Sequence, residues 1–306
     1  MNLTWKRASE LSIDQLLQVW NQSFEGYFVD MTMTASQLQA RCVRDQISLE
    51  HSIVGYVKSE PVGLVLNAFQ IIKSQKIAWN GGTAVMPTYR NQKLGRLFME
   101  KVFEIYQEQG VQTAYLEAFA ENKPAIRLYE NMGYQVVDRL HFYSLRVEGS
   151  WTGSTWDLLD WAVRSVSPKE VSELSFYQHF APWQTQWDHI PEAKGIVLEH
   201  TGHGPVAYAL YRLVRDEEKA QTVVTLYQVG FATDFQTHPK ASEQLIHHLF
   251  AAYQDSSLLY TTVNLSEKNQ VFLQALEQYG FTKSMEQVSM KRDLFHGLRF
   301  SQVFLG

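Results

Sequence analysis

A short basic loop joins a strand pattern to a helix pattern in the stretch Gly82-Thr83-Ala84-Val85-Met86-Pro87-Thr88-Tyr89-Arg90-Asn91-Gln92-Lys93-Leu94-Gly95-Arg96. The strand ends at Met86-Pro87 and the helix begins almost at once. Free N–H groups and the positive dipole end at the start of a helix attract anions. Arg90, Lys93 and Arg96 add charge, and Gly95 allows a close approach to the backbone. From this loop alone, an anion cradle and a solvated helix start that binds nothing are equal alternatives.

The loop differs from the two common phosphate-binding motifs. It lacks the Gly-x-x-x-x-Gly-Lys-Ser/Thr spacing of a P-loop and the three glycines of a dinucleotide-binding fold. After the loop, apolar side chains recur at helical spacing and predict an amphipathic helix that ends at Gly110; they are Leu94, Leu97, Phe98, Val102 and Ile105.

Around the loop, helix and strand patterns alternate. Ser12 and Gln15 form a capping box that opens a helix through Trp20, and Asn122 caps a later helix that ends at Gly133. A further helical stretch covers residues 38–46, and strand patterns cover residues 52–58, 61–72, 76–85, 113–119 and 134–147. Antiparallel strands followed by β-α-β-α-β predict an α/β fold of the α+β type, a mixed sheet with helices on both faces.

The second half of the chain repeats the first. Asn122 and Gly133 recur as Asn269 and Gly280 at an offset of 147 residues, and the same offset relates Tyr106 to Tyr253. An ungapped match over a helix, a strand and a second helix indicates an internal duplication. We therefore predict two domains, residues 1–148 and 149–306.

A second motif follows the strand that ends at Leu116-Glu117-Ala118. It reads Asn122-x-x-Ala125-x-x-Leu128-Tyr129-x-x-x-Gly133-Tyr134. Together with the basic loop, it resembles the GCN5-related N-acetyltransferase superfamily (GNAT), whose phosphate loop is Gln/Arg-x-x-Gly-x-Gly/Ala. The resemblance covers residues 50–145 closely and implies two tandem GNAT-like domains, each with a mostly antiparallel sheet and a splayed central strand pair.

The resemblance implies acetyl-CoA as the co-substrate, held between the splayed fourth and fifth strands. The pantetheine arm is expected at the backbone near Val85 and Pro87, and the pyrophosphate on N–H groups of residues 92–96. The cofactor-binding residues implied in this way are Ala84, Val85, Met86, Pro87, Arg90, Asn91, Gln92, Lys93, Leu94, Gly95, Arg96, Asn122, Ala125 and Tyr129.

The resemblance also implies direct attack of a bound amine on the thioester in a ternary complex. Such a reaction needs an acid for the leaving thiolate and a base for the ammonium proton. Tyr129 fits the acid, with a packed aromatic as the alternative, and Glu117 is either the base or a structural carboxylate. Phe24, Tyr27 and Phe28 occupy the segment that usually covers the acceptor site in this family, where they either line a pocket or pack into the core.

One position departs from the family pattern, because Lys93 stands where the first glycine of the phosphate loop is expected. A positive φ would strain a lysine and reshape the loop. We expect a negative φ here, so that Lys93 adds a charge near the phosphates.

The second copy has lost the residues of the first motif. At the offset of 147, Arg90 becomes Thr237, Gly95 becomes Ser242, Arg96 becomes Glu243 and Tyr129 becomes Leu276. Leucine cannot donate a proton. We therefore expect no acetyl-CoA in this half, and a structural or acceptor-shaping role.

Composition excludes several other functions. The 27 Lys and Arg against 32 Asp and Glu give a net charge of −5, which argues against a nucleic-acid partner. The single cysteine, Cys42, excludes a disulfide within the chain, and the histidine pairs lack a third ligand, so no metal is expected. The absence of a long apolar run or an apolar N-terminal stretch predicts no membrane partner and a cytoplasmic location.

These observations predict an N-acetyltransferase that moves an acetyl group from acetyl-CoA to a small-molecule or peptide amine. The acceptor is not encoded in a readable pattern, and a homodimer is one assembly that the sequence leaves open. The alternative is a non-catalytic acyl-CoA-binding or protein-interaction module that keeps the fold.

Overall fold

The computed structural model describes residues 3–148, 160–217, 221–250 and 257–294. Within these ranges the helices are α1 (Ile13–Ser23), α2 (Ala35–Arg44), α3 (Leu94–Glu108), α4 (Lys123–Asn131), α5 (Pro168–Ser172), α6 (Pro239–Phe250) and α7 (Gln270–Gln278). The strands are β1 (Thr4–Arg7), β2 (Ile53–Val57), β3 (Glu60–Ile72), β4 (Gln75–Val85), β5 (Thr113–Phe119), β6 (Gln135–Glu148), β7 (Trp161–Val166), β8 (Lys194–His200), β9 (Gly204–Asp216), β10 (Gln221–Phe231), β11 (Ser257–Thr262), β12 (Leu265–Ser266) and β13 (Thr282–Asp293). None of these helices is long and apolar enough to cross a membrane.

The chain divides into two units that are not continuous in sequence. The first comprises Met1–Ala118, Asn122–Val137 and Met290–Gly306, and the second comprises Phe119–Glu121 and Asp138–Ser289. This grouping differs from the sequence-based division at residues 148 and 149, whose second domain begins outside the described residues, at 149–159.

Strand pairing explains where the grouping differs. In the second unit, the larger part of β6 pairs antiparallel with β11, with Leu145 opposite Tyr260. In the first unit, the end of β13 lies beside β5, where the Leu294 N–H donates to the carbonyl of Gln112 at 2.9 Å. A strand belongs to the sheet in which its backbone groups find hydrogen-bonding partners, whatever its place in the sequence.

Two capping signals in the sequence are confirmed at the starts of helices. Ser12 accepts a hydrogen bond from the Gln15 N–H, and the Gln15 side chain returns one to the Ser12 N–H, so α1 begins with the predicted capping box. The Asn122 side chain accepts from the Ala125 N–H at the start of α4.

The buried face of α3 differs slightly from the predicted stripe. Phe98, Val102 and Ile105 are buried as expected. Leu97 is more than a third exposed, and Met99 and Tyr106 are buried instead. Successive residues of a helix are 100° apart, so Leu97 lies at the edge of the buried face, whereas Phe98 and Val102 lie at its centre.

The first unit contains the splayed strand pair. Its sheet runs β1-β2-β3-β4-β5 and continues with the end of β13. Most neighbours are antiparallel, whereas β4 and β5 are parallel and pair only through residues 77–80 and 113–116. Beyond Asn80 and Leu116 the two strands no longer pair, which leaves an opening between residues 81–85 and the end of β5.

A β-bulge marks the point where β4 leaves β5. The register with β3 shifts between Leu66 and Asn67, so that Gly81 is the extra residue. A Cβ on Gly81 would lie 2.5 Å from the ring of Trp79, so only glycine fits here. The Asn80 side chain secures the bulge by accepting from the Gly82 N–H at 3.1 Å and donating to Thr83 Oγ1 at 2.8 Å.

The second unit repeats this arrangement, as the duplication predicts. β10 pairs antiparallel with β9 and parallel with β11, and the parallel pairing covers only residues 222–226 and 258–262. A register shift between Leu226 and Gln228 reproduces the bulge at Tyr227. The core of this unit packs Leu245, Leu249 and Phe250 of α6 against the sheet.

Candidate functional site

A cavity of about 630 Å³ lies in the first unit, where the end of β4, the loop after it, α3 and α4 meet. Its lining residues are Val85, Tyr89, Arg90, Asn91, Lys93, Leu94, Gly95, Arg96, Pro124, Ala125, Leu128, Asn131 and Met132. Eight of the predicted cofactor-binding residues line this cavity, namely Val85, Arg90, Asn91, Lys93, Leu94, Gly95, Arg96 and Ala125. The others lie outside its lining, namely Ala84, Met86, Pro87, Gln92, Asn122 and Tyr129.

The basic loop (residues 86–93) has two residues in the left-handed region. Asn91 has φ 62° and Lys93 has φ 61°. The prediction of a negative φ at Lys93 was therefore wrong. Lys93 is the N-cap of α3, and the turn into the helix selects this conformation although it costs a non-glycine residue about 1 kcal/mol.

The same geometry leaves several backbone donors available. Among the described residues, the backbone N–H groups of Gln92, Lys93, Leu94 and Gly95 donate no hydrogen bond. Successive N–H groups next to left-handed residues form a concave site for anions, and a helix start adds a positive dipole. The loop therefore has the backbone geometry of an anion-binding site.

The two arginines of the motif have different surroundings. The Arg96 side chain is 68% exposed and forms an ion pair with Glu100 at 2.8 Å. The Arg90 guanidinium donates to three backbone carbonyls: Val85 at 3.0 Å, Ser23 at 3.1 Å and Glu25 at 2.7 Å. Arg90 lines the cavity, but three of its five N–H donors bind the protein itself.

Gly95 is required by packing within the unit. A Cβ at this position would lie 2.9 Å from Cδ2 of Leu128 on α4. The absence of a side chain lets α3 and α4 approach closely enough to enclose the cavity between them. Sequence reasoning attributed this glycine to ligand approach alone.

Asn122 connects α4 with the aromatic segment (residues 24–28). Its Oδ1 accepts from the Ala125 N–H at 3.2 Å, and its Nδ2 donates to the hydroxyl of Tyr27 at 3.1 Å. Burial raises the pKa of Tyr27, and the hydrogen bond from Asn122 opposes that rise. The two motifs that carried the resemblance are thus joined to the aromatic segment, Arg90 through the carbonyl of Glu25 and Asn122 through Tyr27.

Tyr129 lies on the buried face of α4, 7% exposed. Burial raises the pKa of Tyr129 to about 12, and a hydrogen bond with Thr83 on β4 partly offsets that effect. The hydroxyl is therefore protonated at neutral pH and lies beside the stretch of β4 that has separated from β5. It is suited to donate a hydrogen bond.

Glu117 lies on β5, just past the last residue that pairs with β4. The indole N–H of Trp79 donates to Glu117 Oε2 at 2.6 Å. Trp79 is itself buried, so the bond holds this carboxylate in place.

The three aromatic residues predicted to bind an acceptor contact one another in sequence order, and each is less buried than the one before it. Phe24 is buried and packs on Trp20 with ring centroids 4.3 Å apart. Tyr27 contacts Phe24 at 5.3 Å and Phe28 at 5.4 Å, and Phe28 is 56% exposed. Phe24 therefore belongs to the core, whereas Tyr27 and Phe28 reach the surface.

Sequence reasoning missed a buried cation beside the bulge. Arg41 of α2 is 7% exposed, donates to the carbonyl of Gly81, pairs with Asp45 at 3.3 Å and lies over the Trp20 ring at 4.5 Å. Burial lowers the pKa of Arg41, and the carboxylate of Asp45 opposes that shift. The spacing of four between Arg41 and Asp45 on a helix was the available signal.

In the second unit, the space beside the splayed strands β10 and β11 is small. The space beside the end of β10 amounts to about 10 Å³, and its walls include Gln178, Pro182 and Thr185. The Tyr208 hydroxyl donates to Gln228 at 3.0 Å and accepts from the Gln178 N–H at 3.1 Å, which holds this segment in place. Leu276, at the position of Tyr129, is completely buried.

The start of α6 also differs from that of α3. The Ala241 N–H donates to the carbonyl of His238 at 3.2 Å, and the Ser242 N–H donates to the same oxygen at 3.4 Å. Pro239 has no N–H to offer. Of the four positions with available donors in the first unit, one is a proline here and two donate to His238.

Within the described ranges, no three His, Cys, Asp or Glu side chains are placed to share a metal ion. His200 and His203 contact each other and Phe235 as part of an aromatic cluster. Cys42 is partly buried, and burial raises the pKa of its thiol.

Comparison with curated proteins shows similarity in the first half of the chain. The model of the acetyltransferase (GNAT) family matches residues 5–134. The [Ribosomal protein bS18]-alanine N-acetyltransferase of Escherichia coli is 35% identical over 75 residues, which are 24% of this chain and 49% of that protein. The chain thus spans about half the length of the curated relative it matches.

Comparison with solved structures extends the similarity of fold to the whole chain. A GCN5-related N-acetyltransferase from Sphaerobacter thermophilus has a TM-score of 0.64 at 12% identity, covering 97% of each chain. A tandem GNAT protein from the clavulanic acid biosynthesis pathway has a TM-score of 0.54 at 11% identity, covering 95% of this chain and 98% of its own. Residues 5–134 thus match the acetyltransferase (GNAT) family, and the fold of the whole chain is similar to that of GNAT structures, among them a tandem GNAT protein.

Proposed function

We propose that the chain transfers an acetyl group from acetyl-CoA to an amine, with one active site in the first unit. The observation that carries the proposal is the cavity of about 630 Å³ beside the basic loop and the start of α3, where four backbone N–H groups are available to an anion. The pyrophosphate of CoA suits these donors together with Lys93 and Arg96. The opening between β4 and β5 suits the pantetheine arm.

The reaction needs two protons to leave the attacking nitrogen. Glu117 accepts the first, directly or through a water molecule, which frees the lone pair of the ammonium. The nitrogen then attacks the thioester carbonyl, the C–N bond forms and the C–S bond breaks. The second proton finally resides on the sulfur of free CoA, so the products are an amide and a thiol.

Tyr129 acts on the leaving sulfur in this proposal. A hydroxyl whose pKa is about 12 remains protonated, so it donates a hydrogen bond to the sulfur as negative charge develops there. A free thiol has a pKa of about 8.5, so complete transfer from the tyrosine to the thiolate is unfavourable until a second proton reaches the tyrosine. We therefore assign Tyr129 as the hydrogen-bond donor through which the sulfur is protonated.

The second unit has a structural or acceptor-shaping role in the proposal. Its small residual space and the internally bonded start of α6 support the absence of a CoA site. Leu276 in place of Tyr129 supports the absence of chemistry there.

The acceptor is an amine whose identity the test must determine. The relative named for alanine of ribosomal protein bS18 makes a peptide that begins with a free alanine amine the first probe. Free-thiol release from acetyl-CoA is measured with this peptide, a diamine, an aminoglycoside and no acceptor. Acceptor-dependent thiol release that is lost in Tyr129→Phe supports the proposal. Tight CoA binding with no turnover on any amine favours a non-catalytic acyl-CoA-binding module.

A further inference from the structure

The aromatic segment leaves α1 at a point where the helix has unpaired carbonyl groups. The last four carbonyl groups of a helix have no partner within it, and their partial negative charge attracts a cation. Here the carbonyl of Ser23, the last residue of α1, and that of Glu25, two residues beyond it, both accept from the Arg90 guanidinium. Arg90 therefore caps the C-terminal end of α1 from the basic loop, 65 residues away in sequence from Glu25.

The same guanidinium binds the end of β4. Its Nε donates to the carbonyl of Val85, the last residue of that strand and part of the cavity wall. One planar group thus fixes the end of α1 relative to the end of β4. Three charge-assisted bonds to carbonyls position it more rigidly than one surface ion pair would.

A second contact holds the far end of the aromatic segment. The Tyr27 hydroxyl accepts from Asn122 Nδ2 at 3.1 Å, and the same asparagine caps α4. Between the two contacts the chain turns at Gly26, whose φ is +68°. The segment is thus fastened at both ends by residues of the two motifs that surround the cavity.

We propose that Arg90 is a positioning residue that holds the aromatic segment against the basic loop, so that cofactor occupancy of the loop is transmitted to the acceptor side. This inference rests on the proposed function, because it takes the cavity as the CoA site and the aromatic segment as part of the acceptor site. It assigns Arg90 a different role from Arg96. Arg90 orders the acceptor wall, and Arg96 contributes charge to the cofactor.

Arg96 provides the matched control. It is an arginine on the same cavity wall, six residues further along, and its partner is Glu100 on its own helix. No hydrogen bond joins its side chain to the aromatic segment among the described residues. Removing Arg96 changes the charge of the cavity as much as removing Arg90 does, without releasing the segment.

Hydrogen exchange on the full-length protein tests the proposal, with and without CoA. The reporting amides are Phe24, which donates to Trp20, and Tyr27, which donates to Phe24. In Arg90→Ala we expect these amides to exchange about tenfold faster, the change expected when charge-assisted hydrogen bonds are lost. CoA should slow their exchange in the wild type and in Arg96→Ala, and should fail to do so in Arg90→Ala.

Calorimetry and kinetics give the second readout. Arg90→Ala should raise the acceptor KM about tenfold while the Kd for CoA changes less than threefold, whereas Arg96→Ala should raise mainly the Kd for CoA. Arg90→Lys keeps the charge but offers a single ammonium, so it should restore CoA-dependent protection only in part. Tyr27→Phe, which releases the other end, should speed exchange without altering charge.

Several results would overturn the proposal. One is that the amides of the aromatic segment exchange in Arg90→Ala at the wild-type rate. Another is that Arg90→Ala loses as much CoA affinity as Arg96→Ala while its aromatic segment stays protected. If Arg90→Ala does not fold, Arg90→Lys decides, and wild-type protection in that variant rejects the role. A wild-type protein that fails to bind CoA rejects the proposed function, yet the comparison of exchange without CoA still shows whether Arg90 orders the segment.

Discussion

The helices α3 and α6 occupy the same place in the two copies, but their first turns differ. The start of α3 leaves four N–H groups available next to the left-handed Asn91 and Lys93. The start of α6 has Pro239 and two N–H groups that donate to His238. The same fold can thus present an anion site or close it, because the difference depends on a few backbone donors.

The splayed strands of the two copies also have different surroundings. In the first unit, a cavity of about 630 Å³ lies where the end of β4, α3 and α4 meet. In the second unit, the space beside β10 and β11 holds about 10 Å³, and its wall includes Gln178, whose N–H donates to the Tyr208 hydroxyl. After a duplication, both copies can thus keep the bulged and splayed strands while the segments beside them differ.

The largest effect is expected at Tyr129, because the second copy has Leu276, which cannot donate a proton, at the same position. Tyr129→Phe should lower kcat by roughly 10²–10⁴-fold, the usual contribution of a proton donor. The ring still packs, so the Kd for CoA and the thermal midpoint should stay near wild type. Steady-state kinetics and calorimetry measure this split.

The reciprocal variant is the control for that prediction. Leu276→Tyr places a tyrosine at the equivalent position of the second unit and should produce no second active site, because its cleft has no room for the pantetheine arm. Turnover close to wild type in Tyr129→Phe would show that water or another group serves the thiolate.

The next prediction concerns the number of CoA sites per chain. Calorimetry should find one CoA site per chain, and Arg96→Ala should weaken it by about threefold to tenfold with a reduced salt dependence, since an exposed charge acts through screened attraction. Lys240→Ala, at the position of Lys93 in the second copy, should leave CoA binding unchanged. Two equivalent sites per chain would contradict the contrast between α3 and α6.

The two helix caps offer a smaller difference. Asn122 accepts from the Ala125 N–H, whereas Asn269 makes no such bond at the start of α7. Asn122→Ala should therefore destabilise α4 by about 1 kcal/mol, and Asn269→Ala should cost α7 less. Hydrogen exchange of the amides of α4 and α7 measures the loss of stability in each variant. Equal losses would show that the side-chain cap is not what distinguishes the two helices.

The smallest expected effect is a loss of stability of the second unit at acidic pH. Burial, with a contribution from neighbouring His248, lowers the pKa of His247 to about 4. Between pH 6.5 and 4 the unfolded chain takes up a proton that the folded second unit does not, so the stability present above pH 6.5 is lost as pH falls toward 4. When the thermal midpoint is measured from pH 6.5 to 4, it should fall less in His247→Gln than in the wild type. The corresponding residue of the first copy is Glu100, which pairs with Arg96.

Much of the site was predictable because its signals are local. The capping residues Ser12 and Asn122 act on N–H groups three residues away, so their effect is readable from the sequence. The splay at the ends of β4 and β5 followed from a recognisable motif. The φ of Lys93 was not predictable, because the requirement to enter α3 outweighed the usual preference of lysine.

The sequence by itself determined the order of elements, the duplication and the loss of the motif from the second copy, since these depend on spacing and residue type. Only the tertiary structure assigned Arg90 to the carbonyls of Ser23 and Glu25, Arg41 to the bulge at Gly81, and residues 138–148 and 290–293 to their units. Such partners lie tens to more than a hundred residues apart, and chain spacing carries no information on which of many distant backbone groups a donor will meet. The fold brings them together, and the burial of unpaired polar groups then enforces the pairing.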